Sequence, residues 1–353
     1  MTTPTGPMPL IAAPGLPRAH QQPLTLGLAL PGRRAGGMLL AVLSALAFSS
    51  SGPLVKPLLE GGWSLGAALF VRIGTAALVL SPFLIRAIVR ERRFIRRHGV
   101  SLVAFGLMPV VGCQLFYFSA MQRMPVAVAL LIQYLAPVML VAWVWLRTRR
   151  RPSPIVLVGT AVAMTGLVLV VDIAGARFDL LGVLLALGAA VCTCVYFVMS
   201  ERTDDSLPPL ALAAGGMVVA ALAIGVLLVT GILPFSAPEI SANVVGLVLP
   251  AWVVLLWVGG IATSLGYAFG VAAVPRTGAR LASFIGLSEV LFALGFAWLL
   301  LAETPAPVQF VGGALILVGV VLVRLDPGSV AAVSPGVDPV PAAAAPDAGS
   351  RRP

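Results

Sequence analysis

Charged residues divide this sequence into long apolar runs, each about the length of one membrane crossing. An α-helix rises about 1.5 Å per residue and needs about 20 apolar residues to cross a hydrocarbon layer of about 30 Å. Runs such as 99–122 and 180–200 contain no charged residue. Proline and glycine trim two longer runs, because they end helices. The sequence therefore predicts an all-α integral membrane protein with ten transmembrane helices, near residues 35–55, 65–89, 99–122, 124–146, 152–171, 180–200, 210–233, 247–271, 279–301 and 304–323.

The composition agrees with lipid as the main surroundings of the chain. Of its 353 residues, 59% are hydrophobic and only 10% are charged, whereas soluble domains carry roughly 25% charged residues. A single soluble core could not hide that much apolar surface. Cys113, Cys192 and Cys194 all lie in predicted spans. We expect them to be small buried apolar residues, so neither a disulfide framework nor a metal site follows.

Basic residues are distributed unequally between the two sides of the predicted spans. Short cytoplasmic loops collect arginine and lysine, because translocating them is unfavourable. With the N-terminus inside, the cytoplasmic side holds the runs Arg86–Arg97 and Arg147–Arg151, whereas the other side holds only Lys56, Arg72, Arg123 and Arg177. We therefore expect a multi-pass protein of the inner cell membrane with both termini in the cytoplasm. Arginines in short loops also account for the net charge of +10 without a nucleic-acid partner.

The two ends of the chain differ in composition from its centre. Residues 1–34 are rich in proline and glycine and lack the continuous apolar core of a signal peptide. Residues 326–353 are rich in proline and alanine. Both ends are predicted to be disordered, because neither can bury enough apolar surface to become ordered. Residues 35–172 and 179–325 would then hold five helices each.

The two central segments match each other without gaps at an offset of 153 residues, over 123–171 and 276–324. Proline and glycine have fixed backbone roles at helix starts and at close helix contacts, so matches between them are informative. The matches include Arg123 with Arg276, Trp145-Leu146 with Trp298-Leu299, Pro152 and Pro154 with Pro305 and Pro307, and Gly159 and Gly166 with Gly312 and Gly319. The sequence thus predicts an internal repeat.

Five helices per half is an odd number, so the second copy would enter the membrane in the opposite direction. Inverted repeats are the architecture of many secondary transporters, which hold their substrate near the midplane where the two halves meet. The expected function is transport by alternating access. Duplication for stability alone remains the other interpretation.

Two segments carry a family resemblance. Tyr117 to Pro137 and Arg276 to Pro305, the latter including Ser288-Glu289 and Ala302-Glu303-Thr304-Pro305, resemble the two signatures of the EamA family in the drug/metabolite transporter superfamily. The resemblance covers roughly residues 36–325 and implies ten helices, cytoplasmic termini and transport of a small solute.

Within that family, Lys56, Arg72 and Gln114-x-x-Tyr117 are most similar to the branch that exports threonine and homoserine. The chain also departs from the family pattern. Arg150 stands where the family usually has glutamate in its first signature. Gln133 and Val290 replace the glutamate and proline that are usual in amino-acid exporters.

Glu289 is the clearest candidate functional residue, because ionisable groups at membrane depth cost about 3 kcal/mol or more and are usually functional. It lies near the middle of the span 279–301, on one helical face with Gly286 and Ala293. Glu289 is predicted to couple transport to protons or to bind a substrate amine. A structural ion pair or interhelical hydrogen bond is the other interpretation.

Two basic residues are further candidates for binding substrate. Arg72 could bind a substrate carboxylate through two hydrogen bonds, could pair with Glu289, or could extend towards the membrane surface. Lys56 is the only lysine of the chain and lies at the outer boundary of the first span. It could bind substrate, although a surface anchor is the simpler interpretation.

The repeat offset selects a set of uncharged polar candidates. It places Gln114 opposite Tyr267, Gln133 opposite Gly286, and Ala136 opposite Glu289. Helices 3, 4, 8 and 9 are therefore predicted to line one central cavity. The substrate-binding candidates on them are Gln114, Tyr117, Gln133, Ser264 and Tyr267. Interhelical hydrogen bonding is the other interpretation of these side chains.

An enzymatic function is not expected. Membrane enzymes need grouped catalytic polar residues, and the only histidines, His20 and His98, lie in predicted cytoplasmic segments. No phosphate-binding loop is present, and no cofactor is predicted.

The best sequence-based prediction is a proton-coupled exporter of amino acids or related small metabolites. Efflux of drugs and toxic compounds is the alternative. The expected partners are a small-molecule substrate and the lipid bilayer, with a homodimer left open.

Overall fold

The computed structural model describes residues 31–121, 123, 126–149, 151–171, 179–204, 206–244, 247–301 and 306–326. The helices of the first half are α1 (Pro31–Ser49), α2 (Ser51–Glu60), α3 (Leu65–Arg90), α4 (Phe94–Phe105), α5 (Cys113–Met121), α6 (Val126–Gln133), α7 (Ala136–Thr148) and α8 (Pro154–Val171). Those of the second half are α9 (Leu180–Glu201), α10 (Pro209–Val229), α11 (Ala251–Trp257), α12 (Ser264–Thr277), α13 (Ala279–Gly286), α14 (Ser288–Leu301) and α15 (Pro307–Arg324). A π-helical segment joins α4 to α5 (Gly106–Gly112), and another joins α11 to α12 (Val258–Thr263).

The helices have the dimensions of a membrane protein. Nine stretches of the described chain are long and apolar enough to cross a membrane, and Pro154–Val170 is a shorter apolar helix at the predicted fifth span. The prediction of a helical integral membrane fold is confirmed. Within the described ranges, strands occur only in one antiparallel hairpin, in which Ser241 of β1 (Ser241–Val244) pairs with Pro250 of β2 (Leu247–Pro250).

The hairpin corrects the predicted span 247–271. Residues 247–250 belong to β2, and the helix begins after Pro250, whose extended backbone precedes α11. At the other end the helix continues to Thr277 and stops at Gly278, which has a φ of +83° that other residues rarely adopt. The span predicted at 210–233 is also shorter, because α10 ends at Val229.

Capping side chains determine where two helices begin. The Ser64 hydroxyl accepts a hydrogen bond from the Ala67 amide at the start of α3. Asp179 accepts hydrogen bonds from the amides of Leu181 and Gly182 at the start of α9. Hydrogen bonding to Gly182 is the main reason why the pKa of the exposed Asp179 carboxyl lies below its usual value. Both capping residues lie immediately before the predicted spans 65–89 and 180–200, so the two helices begin where the sequence predicted.

We call the end of the bundle where α3 ends and α4 begins the basic end, because it carries the arginines between Arg86 and Arg97. The opposite end is the hairpin end. There the Ser64 amide donates to the Ser236 carbonyl at 2.9 Å, and the Ser236 amide donates to the Ser64 hydroxyl at 2.9 Å. The Trp63 indole donates to the Pro238 carbonyl at 3.0 Å. The segment after α10 is therefore fixed across the start of α3 and covers this end.

A buried ion pair between Arg280 and Asp326 lies just after the C-terminal end of α15. Arg280 contacts the Asp326 carboxylate at 2.6 Å, and the Ser153 hydroxyl donates to the same carboxylate at 2.7 Å. Asp326, which the sequence assigned to the predicted disordered tail 326–353, is only 3% exposed in this structure. The rest of that predicted tail lies outside the described residues. The predicted N-terminal boundary also changes, since α1 begins at Pro31 within the segment 1–34.

Helices α8 and α15 pack through the glycines that the repeat aligned. A Cβ atom on Gly166 would lie 2.5 Å from the Gly312 carbonyl oxygen. A Cβ atom on Gly159 would lie 3.0 Å from the Gly319 carbonyl oxygen. Only glycine permits such a close approach of two helices. The four glycines of the two aligned pairs therefore meet crosswise at one helix contact, with Gly159 opposite Gly319 and Gly166 opposite Gly312.

Departures from regular helix also recur at the repeat offset. Adding 153 residues to the π-helical segment Gly106–Gly112 gives 259–265, which overlaps Val258–Thr263. Adding 153 to Tyr134, in the break between α6 and α7, gives Leu287, in the break between α13 and α14. These positions matter for function, because both breaks border the central cavity.

Candidate functional site

A cavity of about 180 Å³ lies in the centre of the helix bundle. The first and second halves both contribute to its wall. Five of the candidates selected from sequence are among its lining residues, namely Arg72, Gln114, Gln133, Tyr267 and Glu289. The remaining polar or aromatic lining residues are Ser44, Phe48, Cys113, Tyr134, Thr193, Tyr196, Phe197 and Ser283.

Glu289 lies at a break in its predicted helix. The span 279–301 is divided at Leu287, so that Glu289 occupies the first turn of α14 instead of the middle of one continuous helix. The Ser288 hydroxyl donates to the Ile285 carbonyl at 2.6 Å and stabilises this break. The positive end of a helix dipole favours a carboxylate in the first turn. Because of the break, the dipole of α14 stabilises the half-buried Glu289 carboxylate.

Tyr134 contacts Glu289 from the equivalent break of the first half. Its hydroxyl and the Glu289 carboxyl lie close enough for a side-chain hydrogen bond. Since a phenol donates to a carboxylate, this contact orients the carboxyl group within the cavity. The sequence pattern did not identify Tyr134, although this residue lies in the segment Tyr117 to Pro137 that carries the family resemblance.

Arg72 enters the cavity from α3. Its Nε donates to the Thr263 hydroxyl at 2.8 Å. The Arg72 charge also interacts with Glu289 across the cavity, but no salt bridge joins these two residues in the described ranges. The ion pair that the sequence left open is therefore not formed in this structure, and both charged groups face the cavity.

The glutamines and one cysteine form a polar part of the wall. The Gln133 amide contacts the Cys113 sulfur at 3.4 Å, and the Cys113 sulfur lies 3.6 Å from the Thr193 hydroxyl. The Gln114 amide lines the cavity as well, and no hydrogen bond among the described residues uses it. This part of the wall offers both donors and acceptors to a bound solute.

Aromatic rings form another part of the wall. The Phe48 and Tyr267 rings meet edge to face with centroids 5.0 Å apart, and the Tyr196 and Tyr267 rings do so at 5.9 Å. Gly270 leaves room for the Tyr196 hydroxyl, which a Cβ atom at this position would overlap. The chain has only four tyrosines, and three of them line the cavity. That scarcity was a signal that could have identified Tyr134 and Tyr196 from sequence.

Two sequence candidates, Tyr117 and Ser264, are not among the cavity-lining residues of the described chain. Tyr117 packs against Ala120, Ala129 and Ala186. Ser264 is fully buried, and its hydroxyl donates to the Gly259 carbonyl at 2.7 Å. Lys56 belongs to α2, but its side chain lies outside what the structure describes.

The cavity extends further towards one end of the bundle than towards the other. Its lining includes Val274 and Ala282, both within about one helical turn of the basic end. Towards the hairpin end the lining stops at Arg72 and Gln114, about two turns from the ends of α3 and α5. The covered hairpin end therefore has the thicker barrier.

Membrane-length helices around a small cavity at mid-depth, with a few charged and polar side chains in a largely apolar wall, are characteristic of membrane transporters. The chain belongs to the EamA-like transporter family, whose model matches it twice, over residues 35–172 and 180–325. The resemblance found in the sequence is thereby confirmed. The protein is a multi-pass membrane transporter of this family.

Curated relatives are similar over most of their length. The threonine/homoserine exporter RhtA of Escherichia coli strain K12 is 25% identical over 269 residues, which is 73% of this chain and 85% of the relative. The uncharacterized inner membrane transporter YicL of Salmonella typhimurium strain LT2 is 25% identical over 301 residues, covering 82% of this chain and 95% of the relative.

A solved crystal structure supports the fold. It superposes with a TM-score of 0.68 over 83% of this chain and 98% of the other chain. At 20% sequence identity, this similarity supports the arrangement of helices and not the substrate.

Proposed function

We propose that the protein exports amino acids or related small solutes across the inner membrane, coupled to inward movement of protons. One observation carries this proposal: Arg72 and Glu289 face the same cavity from the two halves without forming a salt bridge in the described ranges. A zwitterion carries one group of each sign, so it complements both residues. Its charges would also be compensated at a depth where unpaired charges are costly.

The chemistry of each group defines its role. The planar Arg72 guanidinium can bind a carboxylate through two parallel hydrogen bonds. Glu289 can accept either a substrate ammonium group or a proton. Because one carboxylate cannot serve both at full strength, binding of substrate and binding of a proton would compete at Glu289. Such competition would couple export of the substrate to inward movement of protons.

The cavity volume favours a small solute. Drug-sized ligands occupy pockets of about 300–1,000 Å³, whereas this cavity has about 180 Å³. The aromatic wall of Phe48, Tyr196 and Tyr267 is the observation that favours the second candidate, efflux of flat apolar cations. The similarity to a relative named as a threonine/homoserine exporter supports the first candidate.

Counterflow tests the substrate class directly. Proteoliposomes loaded with unlabelled L-threonine are expected to accumulate external labelled L-threonine transiently, because exchange requires only a site that alternates between the two sides. Protein-free liposomes provide the control. Exchange of ethidium without exchange of any of the common amino acids would replace the first candidate with the second.

Alternating access would use the two five-helix halves as inverted repeats. The repeat-equivalent breaks and π-helical segments support this arrangement, as do the two family matches. In the structure, the cavity reaches towards the basic end, while the hairpin end is covered. If the basic end is cytoplasmic, this state corresponds to loading from the cell interior, as export requires.

Cysteine labelling tests that orientation. In a background without the three native cysteines, Arg93→Cys and Glu239→Cys place thiols at the exposed basic and hairpin ends. A membrane-impermeant maleimide is expected to label only Glu239→Cys in intact cells and both variants after lysis. Labelling of Arg93→Cys alone in intact cells would reverse the orientation and, with it, the proposed direction of transport.

A further inference from the structure

We propose that Thr263 is a positioning residue that holds Arg72 with its two terminal nitrogens directed at the substrate carboxylate. The inference rests on the proposed function, in which Arg72 binds that carboxylate. Thr263 is itself 1% exposed and is not among the cavity-lining residues of the described chain. It therefore acts through Arg72 and does not touch the substrate.

The hydrogen bonds define the direction of this contact. Arg72 Nε lies 2.8 Å from Thr263 Oγ1, which in turn lies 2.8 Å from the Val258 carbonyl oxygen. A guanidinium group can only donate, and a hydroxyl has a single proton. The Thr263 proton therefore goes to the Val258 carbonyl, and a hydroxyl lone pair accepts from Nε. The Thr263 hydroxyl forms both hydrogen bonds at the same time, which fixes its orientation.

The π-helical segment Val258–Thr263 makes the contact possible. The Thr263 hydroxyl reaches a carbonyl five residues earlier, whereas Thr277 in the regular helix α12 reaches one four residues earlier. The segment also packs closely against α3. A Cβ atom on Gly259 would lie 2.6 Å from Thr75 Cβ and 2.9 Å from the Arg72 carbonyl oxygen. Glycine at 259 thus allows the approach that brings Thr263 to Arg72.

Occupation of Nε restricts how Arg72 can bind a carboxylate. A guanidinium group offers either its two terminal nitrogens or Nε with one terminal nitrogen to a carboxylate. Since Nε already donates to Thr263, only the pair Nη1 and Nη2 is available. No hydrogen bond or ion pair of the described residues uses these two nitrogens. The substrate carboxylate is therefore expected to meet the end of the guanidinium group.

The hydrogen bond between Arg72 and Thr263 has no counterpart at the repeat-equivalent positions. At the offset of 153 residues, Thr263 corresponds to Val110 and Arg72 corresponds to Gly225. Val110 and Gly225 have no polar side chain and cannot form the equivalent hydrogen bond. The Arg72–Thr263 contact is therefore not duplicated by the repeat. Such asymmetry is what a site needs to bind a zwitterion in one orientation.

Removal of the hydroxyl tests the proposal. In proteoliposomes, Thr263→Val is expected to raise the KM for L-threonine counterflow about 10-fold, the effect of losing one hydrogen bond to a charged group. The maximal rate should change little. L-Threoninol, which lacks the carboxylate, serves as a competitor, and the preference for threonine over threoninol should fall by a similar factor. Thr263→Ser keeps the hydroxyl and should restore both values.

Thr277→Val is the matched control. It makes the same substitution at a buried threonine whose hydroxyl is bonded to the Ala273 carbonyl, away from Arg72. It should leave the KM and the preference unchanged. If Thr263→Val lowers only the amount of folded transporter, or alters threonine and threoninol equally, the positioning role is wrong.

Arg72→Gln separates failure of this inference from failure of the proposed function. An increase in KM for Arg72→Gln but not for Thr263→Val would refute Thr263 positioning alone. An unchanged threonine preference in Arg72→Gln would refute the carboxylate role of Arg72 and the positioning proposal together. Absence of amino-acid exchange by the unmodified protein would refute the proposed function itself.

Discussion

Replacement of Glu289 by glutamine is expected to abolish the dependence of transport on a pH gradient while leaving exchange of substrate measurable. Glutamine has nearly the same shape and can still hydrogen-bond to Tyr134, but it cannot bind and release a proton. One proton moving down a gradient of about one pH unit supplies about 1.4 kcal/mol, enough for roughly tenfold accumulation of substrate. Without a titrating group in the cavity, that driving force is lost.

The measurement compares threonine transport by proteoliposomes with and without an imposed pH gradient. The ratio of the two rates should fall to about one in Glu289→Gln, whereas counterflow without a gradient continues. Glu201→Gln is the control, because Glu201 lies at the basic end and its carboxylate accepts a hydrogen bond from the Ala279 amide. Coupling should be retained there. A Glu289→Gln protein that still responds fully to the gradient would exclude Glu289 as the coupling group.

Replacement of Arg72 by glutamine is expected to raise the KM for L-threonine about 100-fold, because the substrate carboxylate would lose a charged, bidentate partner. Arg72→Lys should recover only part of this loss, since an ammonium group cannot form the same pair of bonds. Removal of a charge from membrane depth relieves a desolvation cost, so folding should not suffer. The effect would thus be on binding and not on the amount of folded protein.

Competition by L-threoninol distinguishes a carboxylate contact from a general disturbance of the cavity. Its affinity should hardly change in Arg72→Gln, because it has no carboxylate to lose a partner. Arg86→Gln provides a control in the same helix, at an exposed arginine of the basic end. Equal weakening of threonine and threoninol would show that Arg72 shapes the cavity without binding the carboxylate.

The two replacements together divide the proposed mechanism into separable parts. Loss of coupling with substrate exchange still measurable in Glu289→Gln, and loss of affinity with retained coupling in Arg72→Gln, would assign proton and carboxylate to different residues. Glu289 and Arg72 can have separate roles within one cavity because no salt bridge joins them in the described ranges.

Prediction of the site from sequence was limited by irregular helix geometry. A regular helix would place Ser264 and Tyr267 on one face, yet Ser264 follows the π-helical segment and donates to the Gly259 carbonyl. Only Tyr267 of the two lines the cavity. The break at Leu287 has no proline beside it, so the sequence predicted one continuous helix across it.

Long-range contacts set a second limit. The repeat directed attention to Gln114, Gln133 and Glu289, which line the cavity, but it does not identify the aromatic residues that α1 and α9 contribute to the wall. Phe48 resembles an ordinary apolar residue of membrane helices in the sequence. Thr263 gave no signal either, because its role depends on an arginine far away in the chain.

The sequence by itself determined that the chain forms membrane-crossing helices, which family it resembles, and which charged groups lie at membrane depth. These properties follow from apolar length, charge spacing and local motifs, all of which are carried by neighbouring residues. Only the tertiary structure decided which charged groups share a cavity, which hydroxyl holds Arg72, and towards which end the cavity extends. Those features depend on close helix approaches and on local departures from regular helix, which residues distant in the chain impose on one another.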